Sequence, residues 1–147
     1  LKNTSSVSSA KAYAFTAVGM YDAFISCWYV KYSTVRIRPQ TAIQRLIEEK
    51  WTSFIQSPPF PEYTSGHSTI SSTAAEMLTH LFGDELAFTD SSELEFNLPI
   101  RSFKSFRDAA LEVSISRVYG GIHYRSGCDA GNVQGKKLAE VILAKLN

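Results

Sequence analysis

The sequence predicts an all-α fold, a helical bundle of about five helices joined by connections of unequal length. Three observations carry that prediction. Apolar residues recur at spacings of three and four in long stretches near both ends and in the middle of the chain. The prolines and the paired glycines fall between those stretches. No internal repeat and no low-complexity tract interrupts them.

Taken in order, Ala10, Ala14, Ala17, Tyr21, Phe24, Ile25 and Trp28 predict one long helix over residues 6–32, with small residues at its start that suit close packing. Pro39 pushes Arg38 toward an extended backbone and opens a second, short helix over 41–49. Pro58, Pro59 and Pro61 stiffen the loop over 53–63. A third helix starts near Ser68, runs through Ala74, Ala75, Met77, Leu78 and Leu81, and stops at Gly83. Residues 84–99 are acidic and irregular, with a turn at Asp90-Ser91-Ser92 and weak support for a small hairpin. Ser102 then begins a helix carrying Phe103, Phe106, Ala110, Val113 and Arg117, which halts at Gly120-Gly121. A last amphipathic helix covers 133–146 through Leu138, Val141, Ile142 and Lys145.

With 147 residues, 44% of them apolar and 20% charged, residues 1–147 read as one domain able to bury a core. Fifteen Lys and Arg against fourteen Asp and Glu leave a net charge of +1, so no global field favours nucleic acid or a membrane surface. No apolar run has the length of a membrane span. The chain begins at Leu1 within helical sequence and is read as the C-terminal part of a longer chain. Cys27 and Cys128 are too few for a disulfide framework, and Cys27 reads as a core thiol.

The positive charge that matters is local. Arg38 before Pro39 is held in one direction, and a guanidinium forks onto the oxygens of a phosphate-like anion while Lys31 adds a point charge. Ser65-Gly66-His67 enters a helix from the stiff loop, offering a hydroxyl, an outward-pointing amide and a proton carrier. Arg117 in the last turn of its helix and His123 beyond Gly120-Gly121 can converge on one point.

Each motif also has an ordinary reading. Lys31, Arg36 and Arg38 make a solvated basic cluster, Ser65 or Ser68 a helix cap, and Gly120-Gly121 a helix stop with a surface histidine behind it. His80, near a helix C-terminus, is assigned no chemistry. Tyr63, Tyr119, Tyr124 and Arg125 flank the motifs as pocket walls or as packing.

Together, Lys31-x6-Arg38-Pro39, Ser65-Gly66-His67 and Ser116-Arg117-x5-His123 resemble the three-part signature of the type 2 phosphatidic acid phosphatase superfamily. That superfamily includes bacterial class A acid phosphatases and vanadium-dependent haloperoxidases. The runs from Pro58 to Tyr63 and from Tyr119 to Tyr124 resemble its soluble, bacterial, haloperoxidase-like branch. The pattern departs at two positions. Thr64 stands where the phosphatases have proline, and Gly127 where they have the aspartate that orients the nucleophilic histidine. Asp129, two residues on, is a candidate replacement, and a backbone carbonyl is another.

The resemblance implies a hydrolase acting on phosphomonoesters through a phosphohistidine at His123, with His67 carrying protons and Lys31, Arg38, Ser65, Gly66 and Arg117 holding the oxyanion. It implies no cofactor for that reaction. A haloperoxidase instead would bind vanadate, with His123 as the vanadium ligand and a halide and peroxide as substrates. A non-catalytic phosphate- or vanadate-binding domain is the third reading. The resemblance also implies a periplasmic or secreted location, and the oligomeric state is left open.

Overall fold

A computed structural model describes residues 4–146. The first helix, α1, spans Ser6–Thr34, two residues longer than the predicted 6–32. Ser5 caps its start by accepting the Ser8 amide, and Val35 ends it in the left-handed region at φ 49°. Gly19, Ala23, Cys27 and Lys31, spaced by four, form its buried stripe. The stripe is narrow because its residues are small. A Cβ on Gly19 would meet Met77 and Thr73, so that helix surface approaches its neighbour closely.

The short helix α2 covers Pro39–Leu46 rather than 41–49. Ile47 and Glu48 both donate to the Ile43 carbonyl, which ends it early. After the proline loop, α3 runs from Gly66 to Phe82, with Ser65 as N-cap and Gly83 as C-cap. The acidic stretch supplies β1 (Phe88–Asp90) and a 3-10 turn at Leu94–Phe96, and β1 pairs antiparallel with β2 (Arg101–Phe103) just beyond it. Phe88 lies opposite Phe103, their rings 5.3 Å apart. Phe103 therefore belongs to a strand, and α4 starts at Phe106, capped by Ser105, and ends at Tyr119.

The largest difference from the sequence reading is α5, which spans Arg125–Leu146 instead of 133–146. Gly127, Gly131 and Gly135 look like helix breakers. Spaced by four, they instead make a smooth face, with Gly127 against Glu62 and Gly131 and Gly135 directly on α3. A Cβ on Gly131 would sit 2.8 Å from the Ser65 carbonyl, and one on Gly135 would overlap the Thr69 carbonyl. Tertiary packing overrides the intrinsic cost of glycine here.

The result is a helical bundle with α3 at its centre, touching α1, α4 and α5. Met77, Ala139 and Ile142 are its apolar core, flanked by Phe15, Leu138 and Leu143. Much of the remaining interior is hydroxyl: Thr69, Thr73, Ser65, Ser68 and Ser114 are buried. Backbone carbonyls accept from Thr69 and Thr73, so these groups are satisfied inside the bundle. Among the described residues, no helix is long and apolar enough to cross a membrane.

Candidate functional site

The left-handed cap at Val35 turns the chain sharply after Lys31, so that Arg36 and Arg38 run back along the proline loop. The Glu62 amide donates to the Arg36 carbonyl at 2.9 Å, which docks that loop against the turn. Lys31 is fully buried and donates to the carbonyls of Pro61 (3.0 Å), Glu62 (3.0 Å) and Thr64 (2.6 Å). All three ammonium hydrogens are thus engaged with the segment that leads into α3. Burial pushes the Lys31 amine down to about 8, with the Cys27 and Glu62 charges opposing and Arg38 reinforcing the shift.

Thr64, where the resembled pattern has proline, is buried and donates its hydroxyl to Gln134 on α5 at 2.5 Å. Beside it, Ser65 Oγ accepts from the Ser68 amide and the Ser68 hydroxyl. Ser68 in turn meets Ser114 at 2.7 Å. Ser65, Ser68 and Ser114 also hydrogen-bond the Cys128 thiol.

Arg38, Gly66, His67, Arg117 and His123 line a single cavity of about 400 Å³. Met20, Trp28, Pro58, Phe60, Ile70 and Ile122 make its apolar walls, and among the described residues no carboxylate lines it. Arg38 is buried and fixed by donation to the carbonyls of Phe60 (2.9 Å) and Ile122 (2.8 Å), with its guanidinium 5.0 Å from the Phe60 ring. Its Nη1 also lies 3.1 Å from His123 Nε2. Arg117 Nε is buried with no hydrogen-bond partner, a donor aimed at nothing the protein supplies. Gly66 is the first residue of α3, where helix amides have no intrahelical acceptor. A cluster of fixed donors around an open volume is what an oxyanion requires.

The two histidines differ. His123 is buried, with Nδ1 2.8 Å from Glu62 Oε1. Burial pulls its pKa below 6.5, opposed by Glu62 and reinforced by Arg38 and Lys31. His67 is exposed at the cavity mouth. Partial desolvation, then the Arg117, Lys31 and Arg38 charges, hold it below 6.5 as well. Both rings are therefore neutral near pH 7.

All seven oxyanion-site residues expected from the sequence gather here, five on the cavity and Lys31 and Ser65 buried beside it. The suggested histidine-orienting role of Asp129 does not hold. Asp129 is exposed and lines a separate groove with Asp108, Glu112 and Arg125. Two residues along α5 from Gly127, it is rotated well away from the buried face. The carboxylate beside His123 is that of Glu62, a residue that the sequence marks only as one of the proline loop over 53–63.

Residues 11–147 match the family model of the VCPO second helical-bundle domain. The chain belongs to that family. A bacterial vanadium-dependent iodoperoxidase superimposes on this haloperoxidase-type domain with a TM-score of 0.89 and 51% sequence identity, over 92% of this chain and 33% of that one. The holo and apo forms of a bacterial vanadium-dependent chloroperoxidase follow with TM-scores of 0.76 and 0.74. They are 20% and 21% identical, over 87% and 88% of this chain and 34% and 36% of theirs, a likeness of fold alone. The haloperoxidase-type domain thus spans about one third of the length of these neighbours. No curated protein matches it.

Vanadate fits the residues of this haloperoxidase-type domain. The orphaned Arg117 Nε supplies a donor for an oxygen, and the neutral His123 ring supplies a nitrogen lone pair. Among the described residues, no group of three or more His, Cys, Asp or Glu could chelate a bare cation. The donor set suits an anion held by cations and by one imidazole.

Proposed function

We propose that the chain carries the vanadate site of a haloperoxidase and oxidises halide with peroxide. The observation that carries this reading is the convergence of Arg38, Arg117, His67 and a neutral His123 on one cavity with no carboxylate in its lining among the described residues. Similarity to the iodoperoxidase supports it and favours iodide. The apolar walls favour iodide too, since a large, weakly hydrated anion gives up less solvation on entry than a small one.

Vanadate, when bound, would supply an electrophilic centre that activates peroxide toward the halide. The protein's part is positional and protonic. His123 presents Nε2 unprotonated, with its lone pair beside Arg38 Nη1. Arg38, Arg117, the Gly66 amide and the Ser65 hydroxyl hold oxygens and spread their negative charge, with Lys31 adding field from beneath. His67, neutral at the cavity mouth, takes a proton from incoming peroxide and returns it to the departing oxygen. Trp28, Phe60 and Ile122 limit water around these groups.

The Glu62–His123 hydrogen bond favours a second reading, phosphomonoester hydrolysis. His123 Nε2 would attack phosphorus as the ester oxygen leaves with a proton from His67. Water deprotonated by His67 would then cleave the phosphohistidine. That route needs His67 protonated at the start, so its low pKa confines hydrolysis to acid pH.

A paired assay with orthovanadate as the single variable tests the proposal. Iodide or bromide oxidation that appears only after vanadate loading supports it. Hydrolysis of an aryl phosphate that vanadate inhibits, with no halide oxidation, replaces it with the second reading. Silence in both with vanadate still bound leaves a binding domain.

A further inference from the structure

We propose that Glu62, clamped by Arg36, is the positioning residue of His123, and that residue 127 is glycine because this carboxylate fills the space its side chain would take. The inference rests on the reading of His123 as the residue that meets the oxyanion, but its test does not pass through turnover.

Glu62 is completely buried, and a buried carboxylate persists only where its oxygens are paired. Oε1 lies 2.8 Å from His123 Nδ1 and accepts the Tyr124 amide at 3.2 Å. Oε2 forms an ion pair with Arg36 Nε at 3.1 Å, without hydrogen-bond geometry. Arg36 bridges from the surface to this pair: it is one-third exposed (33%), donates to Ser126 Oγ at 2.8 Å, and lies 4.6 Å from the Tyr124 ring and 5.3 Å from the Tyr63 ring. The carboxylate is thus held from both sides, by a cation toward solvent and by the imidazole toward the cavity.

The two ring nitrogens of His123 have opposite partners. A carboxylate only accepts, so Nδ1 must carry the proton. A guanidinium only donates, so Nε2, 3.1 Å from Arg38 Nη1, must carry the lone pair. Glu62 therefore selects the tautomer that leaves Nε2 unprotonated.

Gly127 completes the argument. A Cβ there would overlap Glu62 Oε1 and lie 2.8 Å from the carboxyl carbon. The α5 backbone cannot withdraw to make space, because the Gly127 carbonyl accepts the Ser65 amide at 2.9 Å and so ties α5 to the start of α3. Residues 62 and 127 compete for one volume beside Nδ1, and only one of them can fill it. A Cβ at 127 would stand where Oε1 now meets Nδ1, so a carboxylate at 127 is placed to replace one at 62 once Glu62 is shortened.

The test is nitrogen-15 NMR of the histidine rings in the protein without vanadate at pH 7.5, with His123→Asn used for assignment. Wild type should show His123 with the proton on Nδ1. Glu62→Ala should give a mixture of tautomers and a loss of about 10- to 100-fold in vanadate affinity by equilibrium dialysis. The exchange Glu62→Gly with Gly127→Asp should restore both the Nδ1 proton and the affinity, whereas Gly127→Asp alone should disrupt the fold. If Glu62→Ala fails to fold and the exchange folds, the shared volume is supported. An Nε2 proton in wild type, an unchanged tautomer in a folded Glu62→Ala, or no recovery in the exchange would overturn the proposal. An Nδ1 proton with full exchange rescue but no vanadate binding by wild type would uphold the positioning role and reject the function proposed above.

Discussion

Arg38 Nη1 lies 3.1 Å from His123 Nε2, so a permanent cation guards the nitrogen on which the proposed chemistry depends. The contact disfavours a proton on that nitrogen, and Arg38 is among the causes that hold the His123 pKa below 6.5. It also places the guanidinium beside any group that the lone pair would meet. Arg38→Ala should weaken vanadate or phosphate binding by about 10- to 100-fold, the loss of one or two charge-assisted hydrogen bonds. Isothermal titration with each anion checks this, and unchanged affinity removes Arg38 from the site.

Lys31 has a structural duty distinct from that of Arg38. Its three donors hold the carbonyls of Pro61, Glu62 and Thr64 in a fully buried place. Lys31→Met should leave those carbonyls unsatisfied and lower stability by about 3 kcal/mol. Urea unfolding measures it. A loss confined to anion affinity, with stability intact, would show that the carbonyl contacts matter little.

Val35 is a β-branched residue at φ 49°, a conformation that asparagine tolerates far better. It is exposed, so the substitution leaves no cavity. Val35→Asn should raise stability by about 1 kcal/mol and leave anion affinity unchanged. A fall in the thermal midpoint would mean that the left-handed backbone carries no strain at this position.

The signature residues were legible because each motif couples a charge or hydroxyl to a backbone signal: Pro39 after Arg38, Gly66 between Ser65 and His67, Gly120-Gly121 before His123. What the sequence hid was geometry between distant segments. Glu62 lies in a proline loop and carries no local mark of its task. Only the glycine at 127 hinted that a carboxylate had to arrive from elsewhere, and Asp129 was the nearer candidate in sequence but lies off the buried face. The start of α5 was missed for a related reason. Glycines at 127 and 131 signal a loop by propensity, whereas the close approach to Glu62 and to the start of α3 that favours glycine there is a tertiary fact. The strand at Phe103 likewise depends on Phe88 across the turn.

The histidines also predict a pH dependence. His67 and His123 are both held below 6.5 in the folded chain, chiefly by desolvation. The unfolded chain therefore binds protons on them that the folded chain refuses, and unfolding is favoured as pH falls. Their contribution to stability should be complete above about pH 6.5 and lost as pH drops through the folded values. Urea midpoints between pH 7.5 and 5 should fall more steeply for wild type than for the double variant His67→Asn, His123→Asn. Equal slopes would contradict the shifts.

The cavity should bind vanadate through His123 Nε2. Equilibrium dialysis of orthovanadate against wild type and His123→Ala tests it most directly. About one vanadate should bind per wild-type chain, with affinity reduced at least about 10-fold when the imidazole is removed. Equal binding by the two proteins, or no binding by wild type, would contradict it.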